Sequence, residues 1–273
     1  MAPQPRSYLF VPAERPDRIA KALASGADAV ICDLEDAVAP AAKPAAREAL
    51  AEWLAGVRGA PPKPLIVRIN SVGSAWFDDD LALCRAPAVQ AVMLPKAERA
   101  DDIARVAAAT GKAVIALVET AAGMDELRAV ARAPGVVRIA FGSIDFQLDL
   151  GIVGDGDALL AFRSQLVLAS RVAGLASPID GVSTAIGDAA AVSVDARHAR
   201  SLGFAAKLCI HPTQVQAVND AFSPSADEVA WARRVVDAMR DAGGAAITVD
   251  GKMVDRPVWL RAEALLRQAG QTP

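Results

Sequence analysis

Aromatic residues make up only 4% of this 273-residue chain, and there is a single tyrosine. With so much alanine beside so few aromatics, an all-β fold is disfavoured and many helices are expected. Only three cysteines occur, Cys32, Cys84 and Cys209, odd in number and far apart. That excludes a disulfide framework and suits buried free thiols in a reducing compartment. Neither these cysteines nor the two histidines, His198 and His211, have zinc-like spacing. Basic charge is not in excess: the net charge of −3 offers no field for nucleic acid. The N-terminal stretch MAPQPRSYLFVPAERPDR contains no apolar run long enough for a signal peptide or a membrane span. The expectation is a cytoplasmic protein that binds no membrane. No Walker A or G-x-S-x-G pattern occurs. The glycines of Gly151-Ile-Val-Gly154-Asp-Gly156 look like a phosphate loop but do not follow a strand as that loop requires.

What is present is a well-cored composition, 53% hydrophobic and 22% charged. Apolar runs end near Val11, Leu34, Ile69, Leu94, Val118, Phe141, Val182 and Ile210. Helix-period segments lie between them, at 17–24, 44–54, 76–84, 100–109, 124–132, 157–172, 189–202 and 212–219. Pro16 and Pro44 suit first helical turns, and Gly26, Gly174 and Gly203 suit helix ends. Most strand-to-strand steps are roughly 25–40 residues, the length a parallel β-α unit needs. Eight units predict an α/β protein with a (β/α)8 TIM barrel over 1–219, a doubly wound open sheet being the alternative. The segment 220–273 is left over as an extension, a lid or an oligomerisation arm. It reads as a charged helix over 225–242, a Gly243-Gly244 break, a strand-like run over 246–249, a turn at Asp250-Gly251 and a last helix over 257–268.

In such a barrel, functional groups gather where strands end. Glu119 closes the run Ala113-Val-Ile-Ala-Leu-Val-Glu119, and Asp145 follows the run 136–143, one strand–helix–strand step later. Two hard oxygen ligands on one rim make a divalent-metal site. Arg68 lies inside an apolar strand, where an unpaired guanidinium is costly. It requires anionic partners, either protein carboxylates or a substrate carboxylate, which Arg binds in a bidentate fashion. Asp33, Glu35 and Asp36 follow strand two, and Lys96 follows strand four. His198 and His211 are not expected to be catalytic bases, and His211 is read as a helix cap. The run Asp78-Asp79-Asp80 is most simply a favourable placement at a helix start.

Seven segments, in order along the chain, carry a family resemblance: Arg6-Ser-Tyr-Leu-Phe-Val-Pro12, Asp33-Leu-Glu-Asp-Ala-Val38, Val67-Arg-Ile-Asn70, Leu94-Pro-Lys96, Val118-Glu-Thr-Ala121, Phe141-Gly-Ser-Ile-Asp145 with Asp149-Leu-Gly151, and Met253-Val-Asp-Arg-Pro257. The chain resembles the citrate lyase β-subunit-like branch of the HpcH/HpaI aldolase superfamily, which includes malyl-CoA and citramalyl-CoA lyases. The resemblance implies a (β/α)8 barrel assembled as a homotrimer or a hexamer. It implies Mg²⁺, with Mn²⁺ as the alternative, held by Glu119 and Asp145 together with an α-keto acid. It implies that Arg68 grips the substrate and stabilises enolate charge, and that Asp255, supplied by a neighbouring subunit's tail, exchanges the proton of the acetyl-CoA carbon. The base for the substrate hydroxyl is open between Asp36, Glu35 and a metal-held hydroxide. For coenzyme A, Arg15, Arg18, Lys21 and Lys96 are the candidate cations. Where the pyruvate aldolases of this superfamily carry a His, this chain has Asp36, which argues against their His-base mechanism. Many relatives have Gly where this chain has Ala13. The expected activity is magnesium-dependent carbon–carbon cleavage of a short 3-hydroxyacyl-CoA, of citramalyl-CoA or malyl-CoA type, into acetyl-CoA and an α-keto acid. The alternatives are a malyl-CoA thioesterase or malate-synthase-like enzyme, and a citrate lyase β subunit acting only with an acyl-carrier protein.

Overall fold

A computed structural model of the protein describes residues 4–243 and 245–273; Met1–Pro3 and Gly244, half of the expected Gly243-Gly244 break, lie outside the described residues. Strands and helices alternate as β1 (Ser7–Pro12), α1 (Pro16–Ala24), β2 (Ala29–Asp33), α2 (Lys43–Gly56), β3 (Leu65–Arg68), α3 (Phe77–Leu83), β4 (Ala91–Leu94), α4 (Ala100–Thr110), β5 (Ala113–Val118), α5 (Ala121–Asp125), α6 (Leu127–Arg132), β6 (Val136–Phe141), α7 (Ser143–Leu150), α8 (Leu160–Val172), β7 (Ile179–Asp180), α9 (Ala189–Leu202), β8 (Ala206–Cys209) and α10 (Val215–Phe222). The eight strands close into a parallel barrel in sequence order, as expected, and not into an open sheet. The described residues divide into two compact units, 5–219 and 220–273 with Gln4. No helix among the described residues is long and apolar enough to cross a membrane.

Alternation along each strand decides what enters the barrel. Tyr8, Ile31, Ile66, Met93, Ile115, Leu117, Ile179 and Leu208 fill its interior. Two residues beyond Ile31, Ile66 and Leu117 stand Asp33, Arg68 and Glu119. The inward register that packs the core with aliphatics therefore delivers charged groups at the carboxyl rim. Asp33 and Arg68 are also register partners across β2 and β3.

The helix pattern departs from expectation in two places. The segment read as one helix over 124–132 is two, α5 and α6, parted at Glu126. Gly123 in α5 packs so closely that a Cβ there would lie 2.8 Å from the Ala97 carbonyl oxygen. The second departure is α7, a helix that falls between the expected helices over 124–132 and 157–172. Ile144, Phe146 and Leu148 alternate like a strand, yet only Phe146 is buried, and the Phe146 N–H closes a helical turn onto the Gly142 carbonyl at 3.0 Å.

β7 has two residues and meets β6 through one pair, Ala140 with Ile179. Outward-facing charges secure it instead. Lys207 Nζ donates to Asp180 Oδ2 at 2.7 Å and lies 2.8 Å from Asp195 Oδ2. Arg163 Nε donates to Asp180 Oδ1 at 2.9 Å, and its other end pairs with Asp155. Lys207 and Asp180 are wholly buried, so removing one leaves an uncompensated charge. Lys207→Met is expected to lower the unfolding free energy by about 3–5 kcal/mol, read from denaturant titration.

The C-terminal unit builds its own small core. Ser225 and Glu228 form a capping box at the start of α11 (Ala226–Asp241). β9 (Ile247–Val249) and β10 (Lys252–Val254) pair as a hairpin turning at Asp250-Gly251, both with positive φ. The extension is therefore not purely helical. α12 (Arg256–Gln268) follows, and Val235, Met239, Val254, Ala262 and Leu266 bury one another.

Candidate active site

A cavity of about 450 Å³ opens at the carboxyl rim of the barrel. Its apolar walls include Phe10, Leu117, Phe141, Val182, Leu208 and Ile210, and its charged groups are Asp33, Asp36, Arg68, Glu119 and Asp145. Arg68, Glu119, Asp145 and Asp36, all singled out in the sequence, thus line one space.

Arg68 is buried and lies over the Phe10 ring, 4.8 Å from its centroid. Its Nε and Nη2 donate to the two oxygens of Asp33 at 2.7 and 2.6 Å. Nη1 donates to Asp36 Oδ2 at 3.2 Å and lies 2.9 Å from Glu35 Oε2. That last approach is an ion pair by distance without hydrogen-bond geometry, since Glu35 Oε2 has no hydrogen-bond partner. Burial works against the guanidinium charge, but Asp33, with Glu35 and Asp36, holds its pKa above the ordinary value. Of the two kinds of partner expected for Arg68, the structure shows protein carboxylates at both ends: Asp33 takes the Nε/Nη2 edge, and the Nη1 end faces Asp36 and Glu35.

Glu119 follows β5 and is 2% exposed. Its Oε1 accepts from the Lys96 N–H at 2.9 Å, and among the described residues it forms no ion pair. Burial, reinforced by the charges of Glu35 and Asp145, pushes its carboxyl up to about 8. Gly142 is required beside it, because a Cβ there would fall 2.4 Å from Glu119 Cβ and from Oε2. Asp145 stands in the first turn of α7, not at the end of β6, a correction that follows from the helix beginning at Ser143.

Two oxygen-donor side chains and no cation of their own fit a hard divalent ion. Among the described residues no group of three or more His, Cys, Asp or Glu could hold a metal. Small-molecule oxygens would have to complete the shell, as is usual for Mg²⁺.

The other expected residues do not line the cavity. Arg15 donates to Asp17 at 3.0 and 3.1 Å, and both Arg15 and Arg18 are exposed and do not line the cavity. Lys96 Nζ donates to Glu35 Oε1 at 3.3 Å. Asp255, in the C-terminal unit, caps α12 by accepting from the Val258 N–H at 3.3 Å. His211 caps the short 3₁₀ turn Pro212–Gln214, and the three cysteines are free and buried. Sequence reasoning did not assign Asp33 as the clamp of Arg68, nor Gly142 and Ser143 as lining. The period-2 register could have given Asp33; nothing local marks Gly142.

An eight-stranded parallel barrel whose carboxyl rim gathers acids and one guanidinium around a cavity defines a (β/α)8 protein with its candidate site at that rim. The model of the HpcH/HpaI aldolase/citrate lyase family matches residues 6–212, and the chain belongs to that family. A citrate lyase subunit beta-like protein of Mycobacterium tuberculosis is 42% identical, over 97% of this chain and 95% of its own length. A (3S)-malyl-CoA thioesterase of Cereibacter sphaeroides is 33% identical, over 97% and 94%. The crystal structure of protein CitE from Mycobacterium tuberculosis, in complex with magnesium, acetoacetate and coenzyme A, matches with a TM-score of 0.86 and 40% identity, covering 99% of both chains.

Neutralising Glu119 tests the electrostatics directly. Its folded pKa is raised from 4.5 to about 8, so its contribution to stability is complete below pH 4.5 and is lost as the pH rises through about 8. In metal-free buffer the thermal midpoint should fall across that window. Glu119→Gln should flatten the fall and abolish stabilisation by added Mg²⁺. A parallel fall in both proteins would contradict the assignment.

Proposed function

We propose that this protein is a magnesium-dependent CoA-ester lyase that cleaves a short 3-hydroxyacyl-CoA, of citramalyl-CoA or malyl-CoA type, into acetyl-CoA and an α-keto acid. The observation that carries this is the buried Glu119 carboxylate, without a cation, sharing a cavity with Asp145 and Arg68. Relatives bearing citrate lyase and malyl-CoA names, and a related structure complexed with magnesium and coenzyme A, support it.

Glu119 and Asp145 would hold Mg²⁺, which when bound supplies a Lewis acid to keto-acid oxygens. The remaining steps belong to side chains. Asp36 is 62% exposed at its side chain and lines the cavity, whereas Glu35 is buried and does not. Asp36 therefore has the access to take the substrate hydroxyl proton. As the carbon–carbon bond breaks, its electron pair becomes the thioester enolate, and Arg68 stabilises that charge through its Nη1 end. Asp255 then donates a proton to the enolate carbon, giving acetyl-CoA. On this proposal the protein is a homotrimer or hexamer in which a neighbouring tail supplies Asp255, and Arg15 and Arg18 offer charge to the CoA phosphates. The 33%-identical thioesterase favours a second reading, hydrolysis of malyl-CoA at the same site.

Purified protein with Mg²⁺ and citramalyl-, malyl- or citryl-CoA should release keto acid from at least one. Free CoA without carbon–carbon cleavage would identify the thioesterase, and no turnover of any would refute both. Glu119→Ala and Asp145→Ala should each abolish Mg²⁺-dependent keto-acid binding by calorimetry. Asp255→Asn keeps an N-cap side chain. It should leave that binding intact while slowing turnover by about 10²-fold or more, the usual worth of a general acid.

A further inference from the structure

Lys96 is one of two non-glycine residues with positive φ among the described residues, at 46°. The other, Asp250, sits in a hairpin turn that demands it. Lys96 lies between β4 and α4, where no hairpin imposes that geometry. Left-handed backbone is disfavoured for a residue with a side chain. In this same turn the Lys96 N–H donates to Glu119 Oε1 at 2.9 Å.

Glycine would adopt this conformation freely. The side chain has a separate use. Lys96 Nζ donates to Glu35 Oε1 at 3.3 Å, while Glu35 Oε2 is buried, 2.9 Å from Arg68 Nη1 and without a hydrogen-bond partner. Glu35 thus stands between two cations, and the position of its second oxygen depends on where its first is held. The lysine's other expected use, as a cation for coenzyme A, competes with this pairing.

We propose that Lys96 is a positioning residue joining the two halves of the site: its backbone orients Glu119, and its ammonium, through Glu35, sets the Nη1 end of Arg68. The proposal rests on the lyase reading above. Metal and keto-acid binding are separable in it. The backbone half governs the metal carboxylate, and the side-chain half governs the guanidinium that meets the substrate.

Calorimetry with Mg²⁺ alone, then with pyruvate in saturating Mg²⁺, tests each half. Lys96→Met keeps the chain length and removes the charge. It should leave the Mg²⁺ Kd within about twofold and weaken pyruvate about tenfold, the size of one lost charge-assisted contact. Lys96→Arg should restore pyruvate binding. Lys96→Val, whose β-branch opposes left-handed backbone, should weaken Mg²⁺ itself by about tenfold, and Lys96→Gly should not. Circular dichroism and thermal midpoints in metal-free buffer check that the variants fold. Equal loss of Mg²⁺ in all four variants, unchanged pyruvate binding in Lys96→Met, or a rise only in the KM for the CoA thioester would each overturn the proposal. Failure of the unsubstituted protein to bind pyruvate with Mg²⁺ would instead refute the functional reading on which it rests.

Discussion

Glu119 is buried at the carboxyl end of β5 without a cation of its own, and the surrounding rim is arranged so that it stays that way. Arg68, at the end of β3, lines the same cavity, and its charge acts on Glu119. A free guanidinium in that position would neutralise Glu119 and leave nothing for a metal to do. Asp33 prevents this by occupying both Nε and Nη2. A bidentate pair between adjacent strands is rigid as well as strong, so Arg68 cannot swing across. The backbone N–H of Lys96 gives Glu119 orientation without neutralising it. Gly142 gives it room. The carboxylate is left oriented, uncompensated and facing a cavity, the state in which a hard cation contributes most.

The barrel makes this arrangement cheap to specify. One rule, inward pointing at every second residue, places Ile31 then Asp33, Ile66 then Arg68, and Leu117 then Glu119. Core and site are successive layers of the same register. Where the ladder is weakest, at the two-residue β7, the outward face takes over, with Lys207 and Arg163 converging on Asp180. That cluster holds the wall from behind without placing further charge in the cavity.

The same logic explains what could be read from the sequence alone. Glu119 was legible because it ends an uninterrupted apolar run, and Arg68 because a cation in such a run must have partners. Which partners was not legible, since Asp33 is 35 residues away and only the strand register makes them neighbours. Asp145 was legible as an acid near the rim, but its helical setting was hidden by the strand-like alternation of 144, 146 and 148. Lys96 reads in the sequence as a cation for coenzyme A because it lies near a strand end; its two interactions, with Glu35 and Glu119, span 61 and 23 residues and have no local sign. Its positive φ has no signature in a lysine. The C-terminal helices were legible as a charged segment ended by Gly243-Gly244 and a last segment from Pro257, whereas β10 was too short and too exposed to announce itself.

The charge count of the cavity bears on how such a site must operate. Its lining carries the carboxylates Asp33, Asp36 and Asp145 and the acid Glu119, whose pKa of about 8 keeps it largely protonated at neutral pH, against the one guanidinium of Arg68. An anionic keto acid approaching that lining meets repulsion that a single, already paired cation does not offset. Held by Glu119 and Asp145 as proposed, a divalent ion would reverse the local sign and attract the ligand's oxygens. On the proposed reading, cation and keto acid are therefore thermodynamically linked: each raises the affinity for the other by the same factor. The ordering also follows. The cation exchanges for the proton that burial holds on Glu119, so on this reading its binding strengthens as the pH rises through about 8, whereas the keto acid gains little until the cation is there.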